Sequence, residues 1–200
     1  MSIVSMKKVV LSSFAALALG ALGGCGGGGS QGEGALEVEG AVTAASGKTA
    51  PDHALVNVFW MVTSGSPDYG YAFGSGEATS GAFDLSFPAA PPAEAINSYG
   101  IGVGVVLLMP DSQGLPDGKV ADDDAIEEHA LGAVSNFAII YKKAGATGLS
   151  WSAAFPEGYS CAKGVPAKEG ETFDSFEPVD CATAVMTVDA IDNIDFVNWT

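Results

Sequence analysis

Gly100-Ile101-Gly102-Val103-Gly104-Val105-Val106-Leu107-Leu108-Met109, stopped by Pro110, is the stretch that decides the fold of this 200-residue chain. Its apolar residues are rich in valine, and its glycines fall at every second position. A period of two is that of a β-strand, whose side chains point alternately to opposite faces. One face of this strand therefore has almost no side chains, which predicts close approach by another layer. The glycines do not form a nucleotide loop. They lie inside a valine run and lack the spacing and the following helix that phosphate binding requires.

Similar signals recur on either side. Ala54 to Thr63 reads Ala-Leu-Val-Asn-Val-Phe-Trp-Met-Val-Thr, apolar on both faces except at Asn57, as in a central strand. Leu36, Val38, Val42 and Ala44 alternate with Glu37, Glu39, Ala41 and Thr43. Tyr69, Tyr71 and Phe73 alternate after a turn at Ser64 to Asp68. Phe83, Leu85 and Phe87 share a face opposite Asp84 and Ser86, and Pro88 to Pro92 ends that strand. Val134 to Lys142 and Thr183 to Asp189 complete a set of seven. One short helix is expected over Asp122 to Leu131, with acids in its first turn and Gly132 just past its end. The expectation is an all-β domain, a single antiparallel β-sandwich of about seven strands with one short helix.

Residues 1–24 have a different character. Lys7 and Lys8 precede a 14-residue apolar stretch, Val9 to Leu22, shorter than the roughly 20 residues a membrane-spanning helix needs. Leu22-Gly23-Gly24-Cys25 resembles the bacterial lipobox, in which a branched apolar residue and two small ones precede a lipidated cysteine. The small side chains let a peptidase reach the bond, and the Cys25 thiol accepts the diacylglyceryl group. Gly26 to Gly34 then forms a tether with nothing to bury, spanning about 17–20 Å as a coil. Gly26 in place of Asp after the cysteine resembles enteric lipoproteins of the outer membrane. The organisation expected is a signal at 1–24, a lipidated tether at 25–34 and a domain at 35–200, on the cell envelope and held to the membrane by the lipid on Cys25.

Val38 to Pro88 adds a second resemblance. Val38-Glu39-Gly40-Ala41-Val42, then Ala54 to Val58, then Thr79 to Pro88 follow the order of the prealbumin-like, carboxypeptidase-regulatory-like sandwich family. Ser80-Gly81 stands where that family has an Asp-x-x-Gly turn. The resemblance implies a binding or structural module, not an enzyme.

Charge narrows the partners. The chain has 8 Lys, no Arg and 24 acidic residues, and loss of the signal removes two of those lysines. Such a chain repels phosphate backbones, so nucleic-acid binding is not expected. The acid-rich segment Asp111 to Glu128 is the best candidate for a cation, through Asp117, Asp122 and Asp124. Calcium takes six to eight oxygens, and the first half of the loop fails this requirement. Gln113 and Leu115 would stand at its first and third places, so a solvated acidic loop is the simpler reading. No cofactor is implied.

Two exported cysteines, Cys161 and Cys181, are expected to pair, because a zinc site wants about four ligands and only His53 and His129 could help. The 19 residues between them show little periodicity. A covalent closure is therefore read as standing in for a ladder, worth about 3 kcal/mol. No Gly-x-Ser-x-Gly turn exists, and the nearest fragment, Ala78-Thr79-Ser80-Gly81, falls at a hairpin. Tyr69, Tyr71, Tyr99, Trp151 and Tyr159 lie in or near turns and could stack on sugars, although burial is the commoner fate of aromatic rings. The function expected is a non-catalytic binding or structural module, with a carbohydrate- or calcium-binding domain second and a hydrolase third.

Overall fold

The computed structural model describes residues 34–44, 47–61, 70–111, 118–120, 129–165 and 175–188. Ten strands lie among them: β1 (Leu36–Ala44), β2 (His53–Met61), β3 (Gly70–Thr79), β4 (Ala82–Phe87) and β5 (Ile101–Met109), then β6 (Gly118–Val120), β7 (Gly132–Lys142), β8 (Gly158–Val165), β9 (Ser175–Val179) and β10 (Val185–Val188). They form one sheet in the order β10-β1-β4-β3-β2-β5-β7-β8-β9, with β6 on β3 and a further pairing of β10 with β7. All ladders are antiparallel except β1 with β10. The all-β antiparallel class is as expected, and the seven expected strands are present.

Two expectations need correction. Among the described residues there are ten strands instead of about seven, and they share one continuous sheet, curled into a half-barrel. The segment between Cys161 and Cys181 is not without a ladder either. β8 and β9 pair through it from Cys161 opposite Val179 to Val165 opposite Ser175. The helix expected over Asp122 to Leu131 lies outside the described residues except at its end. There Ala130 and Leu131 are irregular, and the Leu131 amide donates to the Leu108 carbonyl at 2.7 Å. The expected turn at Ser64 to Asp68 also lies outside them.

The curl follows from where the glycines and aromatic rings fall. Gly104 lies opposite Trp60 in the β2–β5 ladder, and the Trp60 indole lies over both Gly102 and Gly104. A Cβ on Gly102 would come within 3.1 Å of that ring, and one on Gly104 within 2.6 Å of Val58. The close approach read from the glycine alternation is thus real. It comes from a ring on the adjacent strand and from the Ala95 carbonyl, not from a separate layer. A ring covering a cross-strand glycine restores the contact area that the missing side chain forfeits. Phe83 repeats the arrangement over Gly40, its partner across β1 and β4.

Where β2 passes Val58, the β3 register slips, so that Phe73 and Gly74 lie between the pairs Asn57–Ser75 and Phe59–Ala72. This β-bulge uses Gly74 at φ +94°, a conformation glycine adopts at little cost. The bulge turns the Phe73 carbonyl to the Trp60 indole N–H, which donates to it at 2.8 Å. A bulge of this kind sharpens the local bend.

The bend brings distant strands together. Phe87 of β4 stacks on Tyr159 of β8 at 4.9 Å between centroids, although the sheet path between these strands runs through β3, β2, β5 and β7. Trp60 meets Phe87 edge-on at 6.0 Å, and Tyr141 meets Tyr159 at 4.9 Å. Each such aromatic pair contributes about 0.5–1.5 kcal/mol beyond its buried area. Around these rings pack Leu36, Val38, Val56, Leu85, Leu108 and Ile139, all buried.

A second, smaller core lies outside the sheet. Ile101, Val103, Val105, Leu107 and Met109 of β5 join Ala138 and Ile140 of β7 and Ala162 of β8, packed with Phe155 and Phe176. Trp151, in the 3-10 turn Ser150–Ala154, packs edge-on to Phe155 at 5.7 Å and to Phe176 at 5.0 Å. The Lys142 ammonium donates to the Ser152 and Phe155 carbonyls at 3.1 and 2.9 Å, fixing that turn on the strand. With the inner core on its other face, all nine residues of β5 are buried.

Gly104→Val should drive Val58 and the indole out of place and cost about 1–3 kcal/mol, as overpacked cores do. Thermal denaturation checks this; an unchanged melting temperature would mean that Trp60 does not rest on β5.

Candidate functional site

The candidate aromatic residues divide clearly. Tyr159 is buried in the inner core, and its hydroxyl donates to the Ala89 carbonyl at 2.7 Å. Burial, and to a lesser degree Tyr141, holds that hydroxyl far above the ordinary tyrosine pKa of 10, so it remains a donor. Tyr71 packs against the inner core and Trp151 against the outer one. Tyr69 lies outside the described residues. Of the four described, Tyr99 alone is largely exposed, at 51%. Its backbone is fixed by Asn97, whose Oδ1 accepts from the Tyr99 and Ile101 amides at 3.0 Å each.

The hairpin fragment is a tight turn. Thr79 pairs with Ala82, and the two residues between them, Ser80 and Gly81, have φ of 54° and 85°. Positive φ at both central positions is the signature of a type I′ hairpin turn, so Ser80 has a local structural task. Ser160 is different: its Oγ is buried without a hydrogen-bond partner. Its register neighbour is Ile140, which offers no base to activate it.

The outer face splits into two halves. On β5, β7 and β8 it is apolar and carries the outer core. On β1, β4 and β3 it is acidic and open. Glu39 lies directly opposite Asp84, and the register that pairs Ala78 with Phe83 sets Glu77 beside Asp84 on the other side. Three carboxylates thus stand in a row across three neighbouring strands, all exposed. Adjacent strands are about 4.8 Å apart, and like charges directly opposite each other destabilise a sheet.

At the end of that row lies His53, the first residue of β2. Its Nδ1 is 2.7 Å from Asp111 Oδ1, just past β5, and its Nε2 is 3.7 Å from Glu77 Oε2. The hydrogen bond to Asp111 raises the imidazole above its usual 6.5, followed by the Asp111 charge, with Glu77 adding to it and slight burial opposing. A raised folded-state pKa makes the contribution to stability complete below about 6.5 and lost as pH rises through the raised value.

Cys161 and Cys181 are bonded, with Cα atoms 5.2 Å apart, within the ordinary range. The bond joins β8 to the 3-10 turn Cys181–Thr183 that leads into β10. Cys25, Asp117, Asp122 and Asp124 lie outside the described residues, and His129 is exposed. Among the described residues, no group of three His, Cys, Asp or Glu side chains is placed to hold a metal ion. No helix among them is long and apolar enough to cross a membrane. Compared with protein families, curated proteins and solved structures, the chain matches none.

Asp84→Asn should stabilise the protein, by about 0.2–1 kcal/mol at low ionic strength. The gain should shrink in 1 M salt, where the Debye length is about 3 Å; denaturant titrations at the two salt concentrations read both. A loss of stability would show that Asp84 has a favourable partner. Asp111→Asn should move the His53 titration down toward 6.5, as followed by NMR of the imidazole protons. An unmoved titration would show that the hydrogen bond does not hold in solution.

Proposed function

We propose that the protein is a lipid-anchored module of the bacterial cell envelope, tethered through Cys25, that binds or scaffolds through its outer surface and catalyses no reaction. The observation that carries this reading is the filling of the curled sheet. The space enclosed by the strands is occupied by Trp60, Phe87, Tyr141 and Tyr159, all buried. A partner would therefore meet the outside. There the apolar half is already covered by Trp151, Phe155 and Phe176 of the same chain, and the acidic half is open to solvent.

A surface with Glu37, Glu39, Glu77 and Asp84 on neighbouring strands suits a basic partner and disfavours anionic headgroups. Repulsion from the headgroup layer and a glycine-rich tether act in the same direction, keeping the domain clear of the membrane that holds it. The fold is read as a variant of the prealbumin-like sandwich that Val38 to Pro88 resembles, its two facing halves joined into one curled sheet.

Mass spectrometry of the mature N-terminus should find an acylated cysteine at position 25, and Cys25→Ser should release the protein from membranes or block its processing. Retention of a processed Cys25→Ser protein on membranes would overturn the proposal.

A further inference from the structure

The sheet path ends at β9 on one side and at β1, with the short β10, on the other. Among the described residues, β10 alone pairs with both sides of the curl. It runs parallel to Ala41–Ala44 of β1 and antiparallel to Gly132–Val134 of β7. It has four residues, and the segment that delivers it is short and individually bonded. Asp180 caps the turn through its side chain to the Ala182 amide at 3.0 Å, and its carbonyl accepts from Thr183 Oγ1 at 2.7 Å. The Ala184 carbonyl then accepts from the Ala41 amide at 3.2 Å, and the Ala184 side chain is buried in the inner core.

Only one feature of this segment is covalent. Cys181 is bonded to Cys161, which is buried on the inner face of β8. The chain leaves β9 at the outer edge of the sheet and must cross β8 to reach the seam. The disulfide pins that crossing. Beside the seam, β7 is itself irregular. Ala138 pairs with Val105 and Ala133 with Leu107, so four residues of β7 are set against one of β5. A four-residue strand held by an irregular neighbour and one parallel ladder is a local unit of low intrinsic stability.

We propose that residues 180–188 are a disulfide-latched strap: with the bond intact they close the curled sheet, and reduction by a dithiol lets them detach while the remaining strands stay folded. Cys181 is the more exposed of the two cysteines, so the incoming thiolate attacks its sulfur. The S–S bond breaks, and Cys161 leaves as a thiolate and takes up a proton. The second thiol of the reductant then displaces Cys181, which is protonated in turn. Two electrons pass to the protein, and the dithiol becomes a disulfide.

Hydrogen–deuterium exchange on the full-length protein tests this, with the bond intact, after treatment with dithiothreitol, and in Cys161→Ala/Cys181→Ala. Amides of 185–188, and those of 41–44 and 132–134 that donate to the strap, such as Ala41, should exchange faster in the last two states, by up to about a hundredfold, the factor that closing a loop of this size supplies. Amides in β2, β3 and β5 should keep their protection. Uniform loss of protection across all strands would overturn the proposal, since the bond would then hold the whole fold. Unchanged exchange at the seam would overturn it, and so would a bond that dithiothreitol leaves intact in the folded protein.

Discussion

The fold depends on one contact, the Trp60 indole lying across Gly102 and Gly104 while its N–H is tied to the bulge at Phe73. The ring sits where two side chains of β5 would otherwise point, so the sheet bends around it. Neither partner works alone. Without the glycines the ring has no seat, and without the ring two alternate positions of the most buried strand would face a void. The indole bond to Phe73 gives that void-filling group a single orientation, because the carbonyl that the bulge presents accepts from the ring.

How much of this was legible in the sequence varies by element. The seven strands with strong alternation were readable because each buries one face or both, and period-two patterning records burial directly. β8 and β9 were missed for the same reason in reverse. β8 places Tyr159 and Cys161 inward but has only Ser160, Ala162 and Gly164 between and beyond them. β9 is an edge strand broken by Pro178. Edge strands need little hydrophobic patterning, and a proline is tolerated on them. The glycine alternation announced a close approach but could not say by what, because strand pairing is a long-range fact.

The candidate site was less legible still. His53 and Asp111 are 58 positions apart, and only the β2–β5 register brings them into contact. The row Glu39, Asp84, Glu77 was hidden among 24 acidic residues, since a high overall charge hides any local grouping until strands are aligned. What the sequence did record is that such charge is not neutralised nearby: with so few lysines in the chain, most carboxylates must face solvent. Their collection on one half of the sheet follows from the other half being apolar on its outer face.

Strand direction has an orientational consequence. β1 begins at Leu36, immediately after the glycine-rich segment, and β2 begins at His53, at the opposite end of the sheet. A nine-residue strand is about 30 Å long, so the chain enters the domain at one pole and carries the His53–Asp111 pair at the other. The Ser80-Gly81 turn and the start of β7 share that far pole, whereas Tyr99 and the Gly145–Gly148 turn lie at the pole of entry. A lipid on Cys25 would therefore be joined to the domain at the Tyr99 pole, and the histidine pole would be the end able to reach farthest into the aqueous side.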